Sequence, residues 1–140
     1  MRDPVTITIK DGESDLTVRI TPMSAVKSEA WLLRVAFALG TGINEVSTDM
    51  KPEQMLGCLL RADYDKVKPL LDDLLTCCER VTEGGATIAM SPATIDGMIQ
   101  YPTTLFTIRV CVLKATFGFF TNGGWSNFLK ALRGALLALH

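Results

Sequence analysis

The sequence predicts a mainly α protein, a small helical domain with an N-terminal β-hairpin. Apolar residues recur at spacings of three and four through most of the chain, which is typical of amphipathic helices. Strict alternation of apolar and polar residues marks the runs 5–10 and 16–20. The chain has 140 residues, 48% of them hydrophobic and 21% charged, which suits one domain with a buried core. We expect a single domain over 1–140, with a hairpin at 1–21, a helical core at 22–120 and an amphipathic C-terminal segment at 121–140.

Residues 5–20 predict the β-hairpin. Because of this alternation, three apolar residues share one face of each strand. They are Val5, Ile7 and Ile9 in the first strand and Leu16, Val18 and Ile20 in the second. The connection between the strands contains Gly12, which tolerates the positive φ that a tight turn needs. A lone hairpin is only marginally stable in water, so this one must pack on helices or pair with another chain.

A first helix is predicted to follow, with Thr21 as N-cap and Pro22 at its first position. Its expected core stripe has the spacing i, i+4, i+7, i+11: Val26, Ala30, Leu33 and Phe37. Four neighbours widen that stripe: Trp31, Leu32, Val35 and Leu39. Gly40 and Gly42 end the helix.

Two further helices are predicted in the middle of the chain. Pro52 opens a short one that runs to Arg61, with four inward residues: Met55, Leu56, Leu59 and Leu60. The next is capped by Asp63 or Asp65 and ends at Gly84-Gly85. Its stripe has a 3–4 spacing: Val67, Leu70, Leu71, Leu74, Leu75, Cys78 and Val81.

The last third predicts a short β-prone run at 86–90, a helical turn or two within 91–100 and a helix over 103–120. Pro102 either breaks the pattern or begins that helix. The stripe of this helix is Phe106, Val110, Leu113 and Phe117. An amphipathic piece at 125–139 has Lys130 on its solvent side.

The composition excludes several function classes. The one histidine is His140, so a Ser/His or Cys/His catalytic pair within the chain is effectively excluded, and we expect neither an enzyme nor a cofactor. The 14 basic and 15 acidic residues give a net charge of −1 and are scattered, which argues against nucleic-acid binding. The longest charge-free stretch, 115–129, is shorter than the roughly 20 residues of a membrane span. We expect a cytoplasmic location.

The four cysteines, Cys58, Cys77, Cys78 and Cys111, lack the paired spacing of zinc ligands. Each has apolar neighbours, and we interpret them as unbridged thiols in a reducing compartment, with no metal. Because Cys77 and Cys78 straddle the apolar stripe, one of them is expected to react faster than the other.

Aromatic side chains are concentrated near the C-terminus, where five of the chain's ten lie between 117 and 128. Phe119 falls off the stripe of the preceding helix, so one helix face cannot bury all five. They form either a small second core with the terminal helix or a site for a hydrophobic partner helix. The candidate partner-binding residues are Phe117, Phe119, Phe120, Trp125, Phe128, Leu129, Leu132 and Leu136.

Three segments carry a family resemblance. The run LFTIRVCVLKATFGFF at 105–120, followed by Gly123-Gly124, resembles the C-terminal signature of bacteriophage tail assembly chaperones. The earlier run LLDDLLTC at 70–77 resembles that signature too, and the run WLLRVAFALG at 31–40 resembles the first helix of such proteins. The resemblance spans about residues 20–125 and consists of apolar helices without a catalytic fingerprint.

The resemblance implies a non-enzymatic role. Such chaperones coat the tape-measure protein of a long-tailed phage, keep its hydrophobic helices soluble and are displaced as tail-tube subunits assemble. The implied partners are therefore the tape-measure protein and tail-tube subunits, in the host cytoplasm and not in the mature virion. Two alternatives stay open: a structural virion subunit of the tail or head–tail connector, and a small helical enzyme or ligand-binding module. Self-association is also left open.

Overall fold

A computed structural model of the chain describes residues 3–39 and 52–117, together with residues 130, 131 and 134. These residues contain four helices and a four-stranded antiparallel sheet. The prediction of a mainly α domain that carries only a hairpin is therefore wrong. The hairpin is one half of a larger sheet, and the segment 22–120 that was expected to form the helical core supplies the other half.

The N-terminal hairpin is confirmed. Strands β1 (Val5–Asp11) and β2 (Ser14–Ile20) pair antiparallel without a break in register, from Val5 opposite Ile20 to Asp11 opposite Ser14. Gly12 begins the two-residue turn with a φ of 69°, as the alternating pattern requires. A Cβ at this position would overlap the ring of Tyr101, so the turn also needs glycine for space.

The other two strands are β3 (Cys78–Val81) and β4 (Thr87–Ala89), and the sheet order is β1-β2-β3-β4. Ile20 of β2 lies opposite Cys78 of β3, and Arg80 of β3 lies opposite Ile88 of β4. The sequence predicts that the third helix continues to Gly84, and this prediction is wrong beyond Leu75. The free edge of β2 offers backbone partners to this segment, and a few apolar residues do not distinguish a strand from a helix by spacing alone.

The helices of the described residues are α1 (Ala25–Leu39), α2 (Pro52–Leu59), α3 (Tyr64–Leu75) and α4 (Pro102–Phe117), and a 3₁₀ turn lies at Ile95–Gly97. The predicted cap of α1 is wrong by three residues. Ser24 is the cap, because its Oγ accepts a hydrogen bond from the N–H of Lys27 at 3.2 Å. The N–H of Thr21 instead donates to the carbonyl of Cys77 at 2.9 Å and extends the β2–β3 ladder.

The middle helices follow the prediction at most positions. α2 buries Met55, Leu56 and Leu59, whereas Leu60 is exposed because the helix has already ended. α3 follows Asp63 and ends at Leu75. Of its predicted stripe it buries Val67, Leu70, Leu74 and Leu75, whereas Leu71 is only partly buried.

The core lies between one face of the sheet and the helical layer, and α4 passes through its centre against β1, α2 and α3. The predicted single stripe of α4 is wrong at Phe106, which is 42% exposed. Because the helix has neighbours on several sides, its buried residues cover most of its circumference: Thr104, Ile108, Val110, Val112, Leu113, Thr116 and Phe117.

Candidate helix-binding surface

Helix α1 carries apolar side chains on two opposite faces. The inner face buries Trp31, Leu32, Val35 and Ala36. The opposite face, here called the outer stripe, is exposed and consists of Val26, Ala30, Leu33 and Phe37. Val26 and Phe37 are 79% and 77% exposed, so the prediction that this stripe faces the core is wrong.

Trp31 decides which face of α1 is inside. Its indole Nε1 donates a hydrogen bond to the carbonyl of Leu70 at 3.1 Å, and its ring centroid lies 5.9 Å from that of Phe117. A buried Trp contributes a large apolar area and needs an acceptor for its N–H, and both conditions are met on this side. Trp31 and the outer stripe lie on opposite sides of the helix, so burying Trp31 turns the stripe outwards.

Polar contacts support the same orientation. Ser28 on the inner face is buried, and its Oγ donates to the carbonyl of Ala25 at 3.0 Å, which satisfies the hydroxyl within the helix. Arg34 at the border of the two faces forms an ion pair with Asp73 of α3. Both partners are about half exposed, so this pair adds little to stability and mainly joins the two helices.

The outer stripe has the dimensions of one face of a helix–helix contact. From Val26 to Phe37 it extends for about 16 Å, or three helical turns, at 1.5 Å per residue. Lys27 and Glu29 are exposed beside it and give it a charged border. A helix that is apolar all round is normally covered on both sides, and an apolar helical face with a polar border matches the way proteins take up amphipathic helices.

The other large exposed apolar residues of the described chain are distributed over different elements. They lie on β1, after α2, at the start of α3, on β4, before α4 and on α4, in this order: Val5, Leu60, Tyr64, Ile88, Tyr101 and Phe106. Single exposed apolar side chains are ordinary in proteins. The outer stripe differs because its four members share one face of one helix.

The structure bears on one of the eight predicted partner-binding residues. Phe117 is 8% exposed and packs against Trp31, which makes it a core residue. Seven predicted residues lie outside the described part of the chain: Phe119, Phe120, Trp125, Phe128, Leu129, Leu132 and Leu136. Lys130, which the pattern places on the solvent side of the terminal segment, is helical and exposed.

A buried carboxylate at the end of β1 is a further polar feature, and the local sequence pattern of the hairpin does not reveal it. Asp11 is 4% exposed and accepts hydrogen bonds from the N–H of Gln100 at 2.9 Å, the N–H of Tyr101 at 3.2 Å and the hydroxyl of Thr104 at 2.8 Å. Burial by itself raises the pKa of Asp11, but the three donors together outweigh it and lower that pKa. With these three donors around it, the carboxylate caps the start of α4.

The sequence held a signal for this cap. α4 begins at Pro102, and Tyr101 before it has no side chain of the usual capping type. The N–H groups at such a helix start need other partners, which can be water, local carbonyls or groups elsewhere in the fold.

An open cavity of about 200 Å³ lies beside Asp11, between the hairpin and the segment 96–100. Arg80 and Asp96 contribute opposite charges to its wall, and Asp15 in the same wall is already paired with Lys10 at 2.6 Å. Its volume is below the roughly 300–1,000 Å³ of most small-molecule sites. We assign no ligand to it.

All four cysteines are thiols in the structure, as predicted. Cys78 is buried and the adjacent Cys77 is half-buried, so their exposures differ as expected. Burial raises the pKa of Cys78 to about 12, with smaller contributions from Cys77 and Cys111. Within the described residues, no group of three potential metal ligands comes together.

Comparisons with known proteins yield no relative: no protein-family model, no curated protein and no solved structure matches this chain. Among the helices of the described residues, none has the length and apolar character needed to cross a membrane. The outer stripe of α1 is the most extended exposed apolar face among the described helices.

Proposed function

We propose that this protein binds an apolar helical segment of a partner protein and keeps that segment from aggregating. The observation that carries the proposal is the outer stripe of α1, a three-turn apolar face that the described fold leaves uncovered. The partner that we propose is the tape-measure protein of a long-tailed phage. That identity comes from the resemblance of residues 105–120 and 31–40 to tail assembly chaperones, and the stripe supplies a physical means for the role.

Binding at the outer stripe would be weak for each copy. Complete burial of one large apolar side chain contributes about 1.5–3 kcal/mol, and Val26 and Phe37 have most of that still to gain. Association costs about 4–15 kcal/mol of translational and rotational freedom, so a single stripe leaves little net affinity. Many copies along one long partner supply avidity, and each copy can still be displaced when tube subunits assemble.

The C-terminal aromatic residues remain part of the proposal. Phe119, Phe120, Trp125 and Phe128 supply a second apolar contact for the same partner, and Phe117 acts from the core by holding Trp31 and hence α1 in place. The two contacts can be altered by separate mutations, because they consist of different residues.

Co-expression with the tape-measure protein tests the proposal. The wild-type chain should keep that protein in the soluble fraction and co-purify with it. The double variant Val26→Ser/Phe37→Ser should fold normally, because both side chains are exposed, and should lose at least about tenfold of the soluble partner, which corresponds to a loss of about 1.4 kcal/mol.

Leu60→Ser is the matched control, since Leu60 is 63% exposed but lies outside the outer stripe. It should retain the rescue. If the double variant rescues as well as the wild type, the outer stripe is not the binding site. If the wild type gives no rescue, the chaperone function itself is wrong.

A structural virion subunit is the second candidate, because β1 is a seven-residue edge strand that suits pairing between subunits. Mass spectrometry of purified phage particles separates the two functions. A chaperone should be absent from mature particles, whereas a subunit should be present in stoichiometric amount.

A further inference from the structure

The outer edge of β1 has backbone groups that the described fold does not pair. β1 is the first strand of the sheet, and among the described strands only β2 lies beside it. With Asp11 opposite Ser14 across a two-residue turn, alternate residues from Val5 to Asp11 exchange hydrogen bonds with β2. The N–H and C=O groups of Thr6, Thr8 and Lys10 therefore point away from the sheet. No other described residue bonds to them.

The bonds on the far side of β2 support this assignment. Thr21 donates to Cys77 across the β2–β3 pair, so odd-numbered residues of β2 face β3. Even-numbered residues of β2 consequently face β1, and their partners Val5, Ile7 and Ile9 are the inward residues of β1. The hydrogen bonds on both sides of β2 therefore indicate that the same three residues of β1 direct their backbone groups outwards: Thr6, Thr8 and Lys10.

This edge lacks the usual protection against pairing. The register with β2 is one-to-one at all seven positions, so no bulge twists the edge away. Pro4 precedes the strand and no proline lies within it. Lys10 is the one charged residue among the three that point outwards. The opposite edge of the sheet, β4, has only three residues, and short edge strands resist pairing.

We propose that β1 pairs antiparallel with β1 of a second copy of this chain, about a two-fold axis at Thr8. The strand runs from Val5 to Asp11, so its midpoint is Thr8, and pairing about that residue overlaps both strands over their full length. Thr8 then lies opposite Thr8, and Thr6 opposite Lys10. The three outward residues of each copy meet the three of the other, which allows about six backbone hydrogen bonds.

The side chains are compatible with this register. Ile7 lies opposite Ile9 of the second copy, so apolar residues continue next to apolar residues on the face that α4 covers. Val5 is 44% exposed at this edge, and Ile7 and Ile9 are half-buried, so each has surface left to bury. A register shifted by one residue would place threonine next to isoleucine and mix the two faces.

The charges are compatible as well. Lys10 of each copy lies opposite Thr6, so the two lysines are separated by four residues, or about 13 Å along the strand. That distance exceeds the Debye length of about 8 Å at physiological ionic strength. Each Lys10 is also paired with Asp15 of its own hairpin at 2.6 Å. The strand is therefore complementary to itself, which is what a two-fold interface requires.

The molecular mass of the full chain in solution tests the pairing, by light scattering and sedimentation over about a hundredfold dilution. The wild type should be a dimer that dissociates on dilution. Thr8→Pro removes an N–H that points outwards and leaves the bonds to β2 in place, so this variant should be a folded monomer. Thr8→Ala is the matched control and should remain a dimer, because it keeps the N–H.

Amide hydrogen exchange provides a residue-level readout. In the wild-type dimer, the N–H groups of Thr6, Thr8 and Lys10 should exchange at least about tenfold more slowly than in a monomer, whereas those of Ile7 and Ile9 should be protected in both. A second variant, Thr8→Lys, covers the case in which Thr8→Pro fails to fold. It places two lysines opposite each other at the axis, so its dimer should dissociate at low salt and re-form at high salt.

The proposal is overturned if the wild type is monomeric throughout the dilution series, if Thr8→Pro folds and stays dimeric, or if the outward amides exchange rapidly in the dimer. A monomer whose outward amides become protected only when another protein is added would assign the edge to that protein instead. These outcomes do not depend on the proposed function, because none of the variants changes the outer stripe.

Discussion

The hydroxyl of Thr104 donates a hydrogen bond to the carboxylate of Asp11 at 2.8 Å, and this contact joins the tip of the hairpin to the first turn of α4. The two residues are 93 positions apart in the sequence. The carboxylate also accepts the N–H groups of Gln100 and Tyr101, so one side chain of β1 supplies the cap that α4 lacks locally.

Removing this cap should destabilise the fold. Asp11→Ala leaves the buried hydroxyl of Thr104 and two partly buried N–H groups without this acceptor. We expect a loss of about 1–3 kcal/mol in the free energy of unfolding, measured by urea denaturation. The control is Asp15→Ala, which removes an exposed ion pair with Lys10 and should cost less than about 1 kcal/mol. Equal losses for the two variants would show that Asp11 does not cap α4.

The cap should also affect how the free energy of unfolding depends on pH in the acidic range. The pKa of Asp11 is lowered from its ordinary value of 3.8, so the ionised carboxylate stabilises the fold fully above that value. This contribution is lost as the pH falls through the lower pKa of the folded state. The stability difference between the wild type and Asp11→Ala should therefore be largest above about pH 4 and shrink at lower pH. A difference that grows on acidification would contradict the lowered pKa.

The orientation of α1 can be tested by truncating one side chain on each face. Trp31→Ala removes a buried ring and a hydrogen bond to Leu70, and it should cost about 3–5 kcal/mol in thermal or chemical unfolding. Phe37→Ala removes an aromatic ring, yet it should cost less than about 1 kcal/mol because that ring is exposed. The reverse order would mean that the outer stripe faces the core.

The thiols should differ in reactivity. Titration with a thiol reagent under denaturing, non-reducing conditions should count all four cysteines, as the reduced state requires. In the folded protein Cys78 should be the slowest, because it is buried and its pKa is raised to about 12, which leaves almost no thiolate at pH 8. Cys78→Ser should therefore leave the fast phase of the reaction, in which the more exposed thiols react, unchanged. A lost fast phase in that variant would place Cys78 at the surface.

The C-terminal contact is tested by a chain that ends at Asn122. This variant keeps Phe117 and its packing against Trp31, so it should retain its circular dichroism apart from the missing segment. It should lose part or all of the rescue of the tape-measure protein, because Trp125, Phe128 and the leucines beyond them are gone. Full rescue would show that the C-terminal residues are not part of the binding surface.

Local patterns predicted the elements whose signals lie within a few residues. The hairpin was predicted in both strands and in its turn, because alternation and Gly12 act over adjacent positions. The helix that starts at Pro52 was predicted for the same reason. The strand β3 was not, because it exists only where β2 provides a neighbour for Cys78 and Arg80, and that neighbour is about 60 positions away.

The candidate surface illustrates the same limit. The spacing of Val26, Ala30, Leu33 and Phe37 is as regular as that of any buried stripe, and the inner face of α1 is equally apolar. Hydrophobic periodicity identifies a face but not which of two faces goes inside. The space beside Leu70 and Phe117 accommodates the indole of Trp31, and that fit selects the inner face.

The sequence by itself determined the hairpin, the start of most helices, the absence of a histidine other than His140, and the thiol state of the cysteines. Each depends on composition or on the short-range geometry of the chain. Only the tertiary structure decided that the hairpin belongs to a four-stranded sheet, that Asp11 caps α4 and that the outer stripe faces outwards. Those outcomes depend on contacts between residues far apart in the chain, whose energies no local pattern contains.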